Sequence, residues 1–177
     1  MIYIVRHGET EWNRLKKVMG RVDIPLSEVG IKQAYQTKDN LKDVKFDLII
    51  SSPLVRARKT AEIINQDKKI PLIFDNRLQE RDFGEFEGLT MNDFNFEDFW
   101  DYYMNLKYER AENIKDFFKR VHEAISEYQE KYKDKNILIV THGGVNIAIS
   151  AFYKNFIPEG TLLKAFPPIN HCEVIKY

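Results

Sequence analysis

Two His-Gly pairs stand at the ends of apolar runs, His7-Gly8 in MIYIVRHGETEWN and His142-Gly143 in NILIVTHGGVN. A neutral imidazole is a competent nucleophile near neutral pH, and an imidazolium donates hydrogen bonds to oxyanions. Alone, a His-Gly after a strand reads as an ordinary turn. Here the two pairs gain meaning from their company. Arg6 precedes the first, and the run FDLIISSPLVRARKTA brings Arg56 about one helical turn beyond Ser52. Two imidazoles, two guanidiniums and a helix N-terminus near one point describe an anion site, and the planar fork of arginine suits phosphate or carboxylate. Glycine after each histidine lets backbone and ligand approach closely.

Such a meeting needs a scaffold that sets distant strand ends side by side. Short apolar runs recur at Ile2–Val5, Leu48–Ile50, Leu72–Phe74, Ile137–Val140 and Val174-Ile175, each of strand length. Most lack polar alternation, which predicts burial on both faces, as in a parallel sheet covered by helices. Helical signals fill the intervals. Ser27 is a cap for EVGIKQAYQTKDNL, and Ser52-Pro53 offers a cap and an N1 proline to LVRARKTAEII. Thr90 to Asp93 has the form of a capping box. In ENIKDFFKRVHEAISEYQEKY, residues Ile114, Phe117, Phe118, Val121, Ile125 and Tyr128 fall on one face. Strands alternating with helices predict an α/β fold, a three-layer α/β/α sandwich around a mostly parallel sheet. Ligands of such sheets bind beyond the carboxyl ends of the strands, where both His-Gly pairs and the Ser52 segment fall. No linker, repeat or low-complexity tract divides the sequence, so residues 1–177 are expected to form one domain. The stretch from about 89 to 110 fits the strand-helix pattern least and is expected to be a small helical cap insertion.

Composition narrows the function classes. Lys plus Arg and Asp plus Glu number 27 each, so no overall field gathers nucleic acid or an anionic membrane, and any electrostatic role must be local. The single cysteine, Cys172, excludes an intrachain disulfide and fits a reducing compartment, with the cytoplasm as the expected location. Ile2–Val5 is too short for a secretory signal. Asn136 to Tyr153 holds no charged residue, yet the polar THGGVN at its centre predicts a buried strand, a turn and a helix instead of a membrane span. No His-x-His or carboxylate-His spacing suggests a catalytic metal.

Arg6-His7-Gly8-Glu9-Thr10, followed by Asn13, resembles the signature of the histidine phosphatase superfamily, the phosphoglycerate mutase-like enzymes. The resemblance continues in order through Gly20, Asp23 to Ser27, Gly30, Gln33-Ala34 and SSPLVRARKTA with its Arg56. It then takes in Glu80, Gly84, Glu87-Gly88, His142 to Gly144 and Asn170, covering nearly the whole chain. It implies that His7 takes the phosphoryl group as a phosphohistidine, which water or another acceptor then attacks. By the same resemblance Arg6 and Arg56 hold the phosphoryl group and keep the imidazole unprotonated, and His142 donates to an equatorial oxygen. Glu80 becomes the proton donor and then the base that activates water. Gly8, Thr10, Asn13 and Gly143 complete the expected phosphate-binding set, and the family implies neither metal nor cofactor.

The fate of the phosphohistidine separates two enzymes. Mutases of the family carry a longer, basic insertion after the Glu loop, whereas MNDFNFEDFWDYYMNLKYERAE has only Lys107 and Arg110 as cations. An acidic, aromatic cap is poorly equipped to clamp a small triose acid. A phosphatase acting on a small phosphate monoester is therefore expected, as a monomer or homodimer. Phosphoglycerate mutase is the alternative, and an inactive phospho-ligand binding module is a second, disfavoured because Arg6, His7, Arg56, Glu80 and His142 are all present. Phe96, Phe99, Trp100 and Tyr103 recur at helical steps and predict the buried face of a cap helix. Asp82 and Glu85 read as a solvated turn, Glu87 as structural, Trp12 as packing, His122 as a helix residue and His171 as a residue at the start of the last strand, with a pocket-edge role as its lesser reading. Met19, Ala111 to Asn113 and Asn146-Ile147 depart from common family usage where a leaving group would sit, so sugar phosphates, phosphoglycerate and α-ribazole phosphate all stay open as substrates.

Overall fold

A computed structural model describes residues 1–177. Strands β1 (Ile2–Arg6), β2 (Leu48–Ser51), β3 (Leu72–Phe74), β4 (Ile137–Thr141) and β5 (Val174–Lys176) form one sheet in the order β3-β2-β4-β1-β5. The first four are parallel, and β5 runs antiparallel to β1 at the edge. Helices α1 (Glu11–Arg14), α2 (Glu28–Asn40), α3 (Val55–Asn65), α4 (Ile114–Lys131), α5 (Gly143–Lys154) and α6 (Leu162–Ala165) connect them.

The unrelieved apolar strands follow from burial on both sheet faces. Ile4, Ile50 and Ile139 pack with Phe117, Val121 and Ile125 of α4 and with Ala148 of α5. Their strand neighbours Val5, Ile49, Leu138 and Val140 point the other way, onto Ala57, Ala61 and Ile64 of α3. The alternation along each strand thus serves two apolar layers, giving the expected sandwich. α5 is buried from Gly143 through Ile149, which accounts for the uncharged stretch around it. No helix is long and apolar enough to cross a membrane.

Strand order is what brings the two His-Gly pairs together. β1 and β4 are neighbours, with Arg6 opposite Thr141, and the next residue's amide, His7 N, donates to Thr141 O at 2.9 Å. On the other side of β4, Ser51 lies opposite Val140 and Ser52 N donates to Val140 O at 3.0 Å. Three strand ends therefore open at one level, as the parallel register requires.

Three local expectations are corrected. Ser52-Pro53 does not cap α3. That helix starts at Val55 with Leu54 in the capping position, and Asp23 Oδ1 accepts from Val55 N at 2.7 Å in place of a neighbouring side chain. Thr90 N and Oγ1 both donate to Asp93 Oδ2, at 2.7 and 2.9 Å, but only turns follow. The cap helix is absent as well: residues 89–110 hold a single 3-10 turn, Asp98–Trp100. After Trp100 the chain extends at Asp101, whose carboxylate accepts from Tyr103 N and Met104 N and turns the backbone outward. Phe99 and Trp100 are buried as expected, while Tyr103 is 58% exposed.

Candidate active site

His7 follows β1 and is almost wholly buried. Its Nδ1 lies 2.7 Å from Gly8 O. A carbonyl only accepts, so Nδ1 carries the hydrogen and Nε2 keeps its lone pair, on a ring that lines a cleft at this end of the sheet. Burial, together with the Arg56 and Arg6 charges, holds the imidazole well below its ordinary range. The local device therefore fixes both the tautomer and the neutral state that a nitrogen nucleophile needs.

His142 begins α5 with its ring centroid 5.1 Å from that of His7. Its Nε2 is 2.8 Å from Ser52 Oγ, the side chain freed by the late start of α3. Burial and the neighbouring Arg56, His7 and Arg6 also keep this ring well below the usual imidazole value. Arg56 is completely enclosed and donates through Nη1 to Val22 O at 2.9 Å and through Nη2 to Gly20 O at 2.6 Å. Burial lowers it to about 10 despite the opposing pull of Glu80, so it stays cationic at neutral pH. Arg6 reaches across to Ile169 O at 2.8 Å.

Glu80 completes the cluster. Its two carboxylate oxygens accept from Arg81 N and from Gly144 N, each at 2.9 Å, the second being a free amide of the α5 N-terminus. Burial nevertheless raises its pKa against those bonds and against Arg56 and Arg6. Gly144 permits the contact, because a Cβ there would overlap Glu80 and the Trp100 ring. A carboxyl kept dry in this way holds its proton to higher pH than a surface one.

A cleft of about 110 Å³ opens beside these groups. Gly8 and Thr10 are not in its wall. Gly8 N donates to Thr60 Oγ1 at 3.1 Å, and a Cβ at Gly8 would overlap the Gly30 carbonyl of α2. Thr10 caps α1, exchanging hydrogen bonds with Asn13. Their expected direct phosphate contacts give way to holding the loop and fixing Asn13, whose Oδ1 is used by Thr10 so that its NH₂ is left uncommitted. The far wall is apolar, built from Met19, Phe83, Met91, Phe96, Trp100 and Ile147, and Lys17 is its only cation besides Arg6.

Several supports gave no sign in the sequence. Arg81, inside the loop read as solvated, is 1% exposed, with its guanidinium 5.3 Å from the Phe99 ring centre and 5.6 Å from that of Trp100. It donates to Phe99 O and, through Nε at 2.9 Å, to Glu112 O, so it ties the cap to the Glu80 loop. Arg120 of α4 grips the same loop through Arg77 O, Gln79 O and Glu80 O. Glu87 is structural as expected, accepting from Arg21 N and Val22 N at 2.8 and 2.7 Å. His122 Nε2 donates to Ala148 O of α5 at 2.9 Å, away from the cleft. His171, by contrast, lies 5.8 Å from the His7 ring.

Residues 2–166 match the family model of the histidine phosphatase superfamily (branch 1). The uncharacterized phosphatase PhoE of Bacillus subtilis is 34% identical over 171 residues, which span 97% of this chain and 84% of that protein. The probable phosphoglycerate mutase GpmB of Escherichia coli is 34% identical over 148 residues, 80% of this chain and 69% of its own. Among solved structures, YhfR of Bacillus stearothermophilus superposes with a TM-score of 0.86 at 32% identity, covering 99% of this chain and 90% of that one. The sheet order, the paired strand-end histidines and these likenesses agree: the chain belongs to the histidine phosphatase superfamily.

Proposed function

We propose that this protein is a metal-independent phosphomonoesterase that passes the phosphoryl group through His7. His7 Nε2 attacks phosphorus as the bond to the leaving oxygen breaks, and the Glu80 carboxyl delivers its proton to that oxygen. Water then attacks the phosphohistidine, gives its proton to the Glu80 carboxylate, and releases phosphate with His7 and Glu80 restored. Arg6 and the Asn13 amide in the cleft wall bind the phosphoryl oxygens, where charge spreads in the transition state, and the enclosed Arg56 and His142 join them through the unpaired Arg56 Nε and His142 Nδ1 when the ligand enters. Gly143, at the start of α5, lies in the wall of the same cleft, while the Gly144 amide is held by Glu80.

The observation that carries this reading is the His7 Nδ1–H bond to Gly8 O, which leaves Nε2 as the reactive nitrogen. Replacing His7 by Ala is expected to abolish hydrolysis of an aryl phosphate with the fold intact by circular dichroism. Turnover within about tenfold of the parent, a loss of only ~1.4 kcal/mol in barrier, would remove His7 as nucleophile.

The apolar wall opposite the phosphoryl corner favours a monoester with an apolar or aromatic leaving group. Lys17 supports the second reading, a mutase, since an ammonium in the cleft suits the carboxylate of phosphoglycerate, as does the likeness to GpmB. One assay separates them: phosphate released to water, or phosphoglycerate isomers exchanged. Residues 1–177 act as one domain in this proposal, with 89–110 as a cap over the leaving group. The balanced charge and lone Cys172 support work in the cytoplasm on a small soluble monoester, as a monomer or homodimer.

A further inference from the structure

The cluster around His7 contains a third imidazole that the reaction above leaves without a task. His171 stands in the loop before β5, its ring tilted 50° to that of His7. The loop is fastened on several sides. Cys172 N donates to Arg6 O at 2.9 Å, and Cys172 O accepts from Thr37 Oγ1 of α2 at 2.8 Å. Asn170 holds the Glu173 carboxylate through N and Nδ2 at 2.8 and 2.9 Å. Cys172 itself takes φ +59°, a conformation that residues with side chains rarely adopt. The loop is thus held in a form that keeps the His171 ring against β1.

His171 Nε2 is buried and has no protein partner. Arg6 Nε, Arg56 Nε and His142 Nδ1 share that condition, so four of the eight such atoms in the molecule belong to residues grouped around His7. All four are nitrogens. A buried donor without an acceptor costs stability unless a ligand satisfies it, and several unpaired nitrogens grouped around one ring match the several oxygens of one phosphoryl group.

We propose that His171 is a further substrate-binding residue, its Nε2 donating to a phosphoryl oxygen and its ring becoming an imidazolium when the dianion is bound. The inference rests on the phosphoryl site proposed above. Arg6 and His7 are next to the ring, and Cys172 and Glu173 are the titratable neighbours in its loop. Burial, followed by Arg6, lowers the free ring to about 4, so it is neutral before binding. A dianion offsets the charge of Arg6 and favours the charged ring, with the proton drawn from solvent or from the monoanionic ester.

Inorganic phosphate is the probe, followed by imidazole Cε1–H NMR signals in the parent protein at about pH 6. Saturating phosphate is expected to move the His171 signal from the neutral to the protonated position. His171→Phe, which keeps the bulk and loses the donor, is expected to weaken inhibition by phosphate about tenfold or more, and His171→Gln to recover part of it. A ring neutral in both states, or phosphate affinity of His171→Phe within about twofold of the parent, overturns the inference. If His171→Phe misfolds, the NMR measurement on the parent still decides. His7-dependent turnover alongside either negative result leaves the phosphohistidine reading standing, whereas turnover that survives His7→Ala removes both.

Discussion

Replacing Glu80 by Gln separates the two proton transfers assigned to that side chain. The carboxylate accepts from two converging amides, Arg81 N and Gly144 N. A Gln carbonyl satisfies one of them, and its NH₂ faces the other donor. One buried amide is left without an acceptor, a local cost of about 1–3 kcal/mol that a thermal melt would register. The chemical cost depends on the leaving group. With an alkyl phosphate the leaving alkoxide needs the Glu80 proton, and its removal is expected to slow phosphoryl transfer about 10²–10⁴-fold. With a nitrophenyl phosphate the leaving oxygen needs no proton, so His7 is still phosphorylated at nearly the parent rate. The second step then stalls because water has lost its base. Rapid mixing of Glu80→Gln with the nitrophenyl ester is therefore expected to give a burst of about one phenol per site before slow turnover, and the alkyl ester no burst. Equal slowing of the first turnover with both esters would refute the assignment of Glu80 as acid. Burial raises the Glu80 pKa, so the acid form persists to higher pH than for a surface carboxyl. The parent's rate on alkyl esters should fall as pH rises through that value, and the variant should lack this limb.

Ser52→Ala takes away the only partner of His142 Nε2 in a ring whose Nδ1 is already unpaired. We expect about a tenfold loss in kcat, largely restored by Ser52→Thr, and an unchanged kcat would show that the bond does not orient the ring. Stability should also depend on pH. All four histidines are lowered in the fold, from an unfolded value of 6.5. Below that value the unfolded chain binds more protons, so stability falls as pH drops, by up to about 1.4 kcal/mol per pH unit for each of the fully buried His7 and His142. The raised Glu80 works in the opposite direction and offsets one of them at most. Urea midpoints between about pH 7 and 5 in phosphate-free buffer should decline, and a flat profile would contradict the buried neutral imidazoles.

The parts of the site that follow strands were legible because burial and polarity meet there. β1 and β4 are apolar on both faces, so the first polar residues after them, His7 and His142, had to lie at the sheet's open end. What the linear pattern lacked was lateral order. Adjacency of β1 and β4 decides the 5.1 Å approach of the rings, and nothing local in either segment encodes it. Ser52 misled for the same reason: its spacing fits a cap, but His142 from the neighbouring strand competes for the hydroxyl. Arg81 looked like one more charge in an acidic turn, since its burial depends on Phe99 and Trp100, far along the chain. Those aromatics did signal burial correctly. Their helical spacing did not produce a helix, because a cluster of rings around a guanidinium stabilises the turn that the sequence period alone would have continued.

The most direct measurement is to quench the protein during turnover of a ³²P-labelled aryl phosphate and map the label under alkaline conditions. Phosphate bound to the imidazole Nε2 of His7, stable to base and lost in acid, is the expected result. A protein that turns over many equivalents without ever carrying label, or carries it on another side chain, would contradict the role given to that nitrogen.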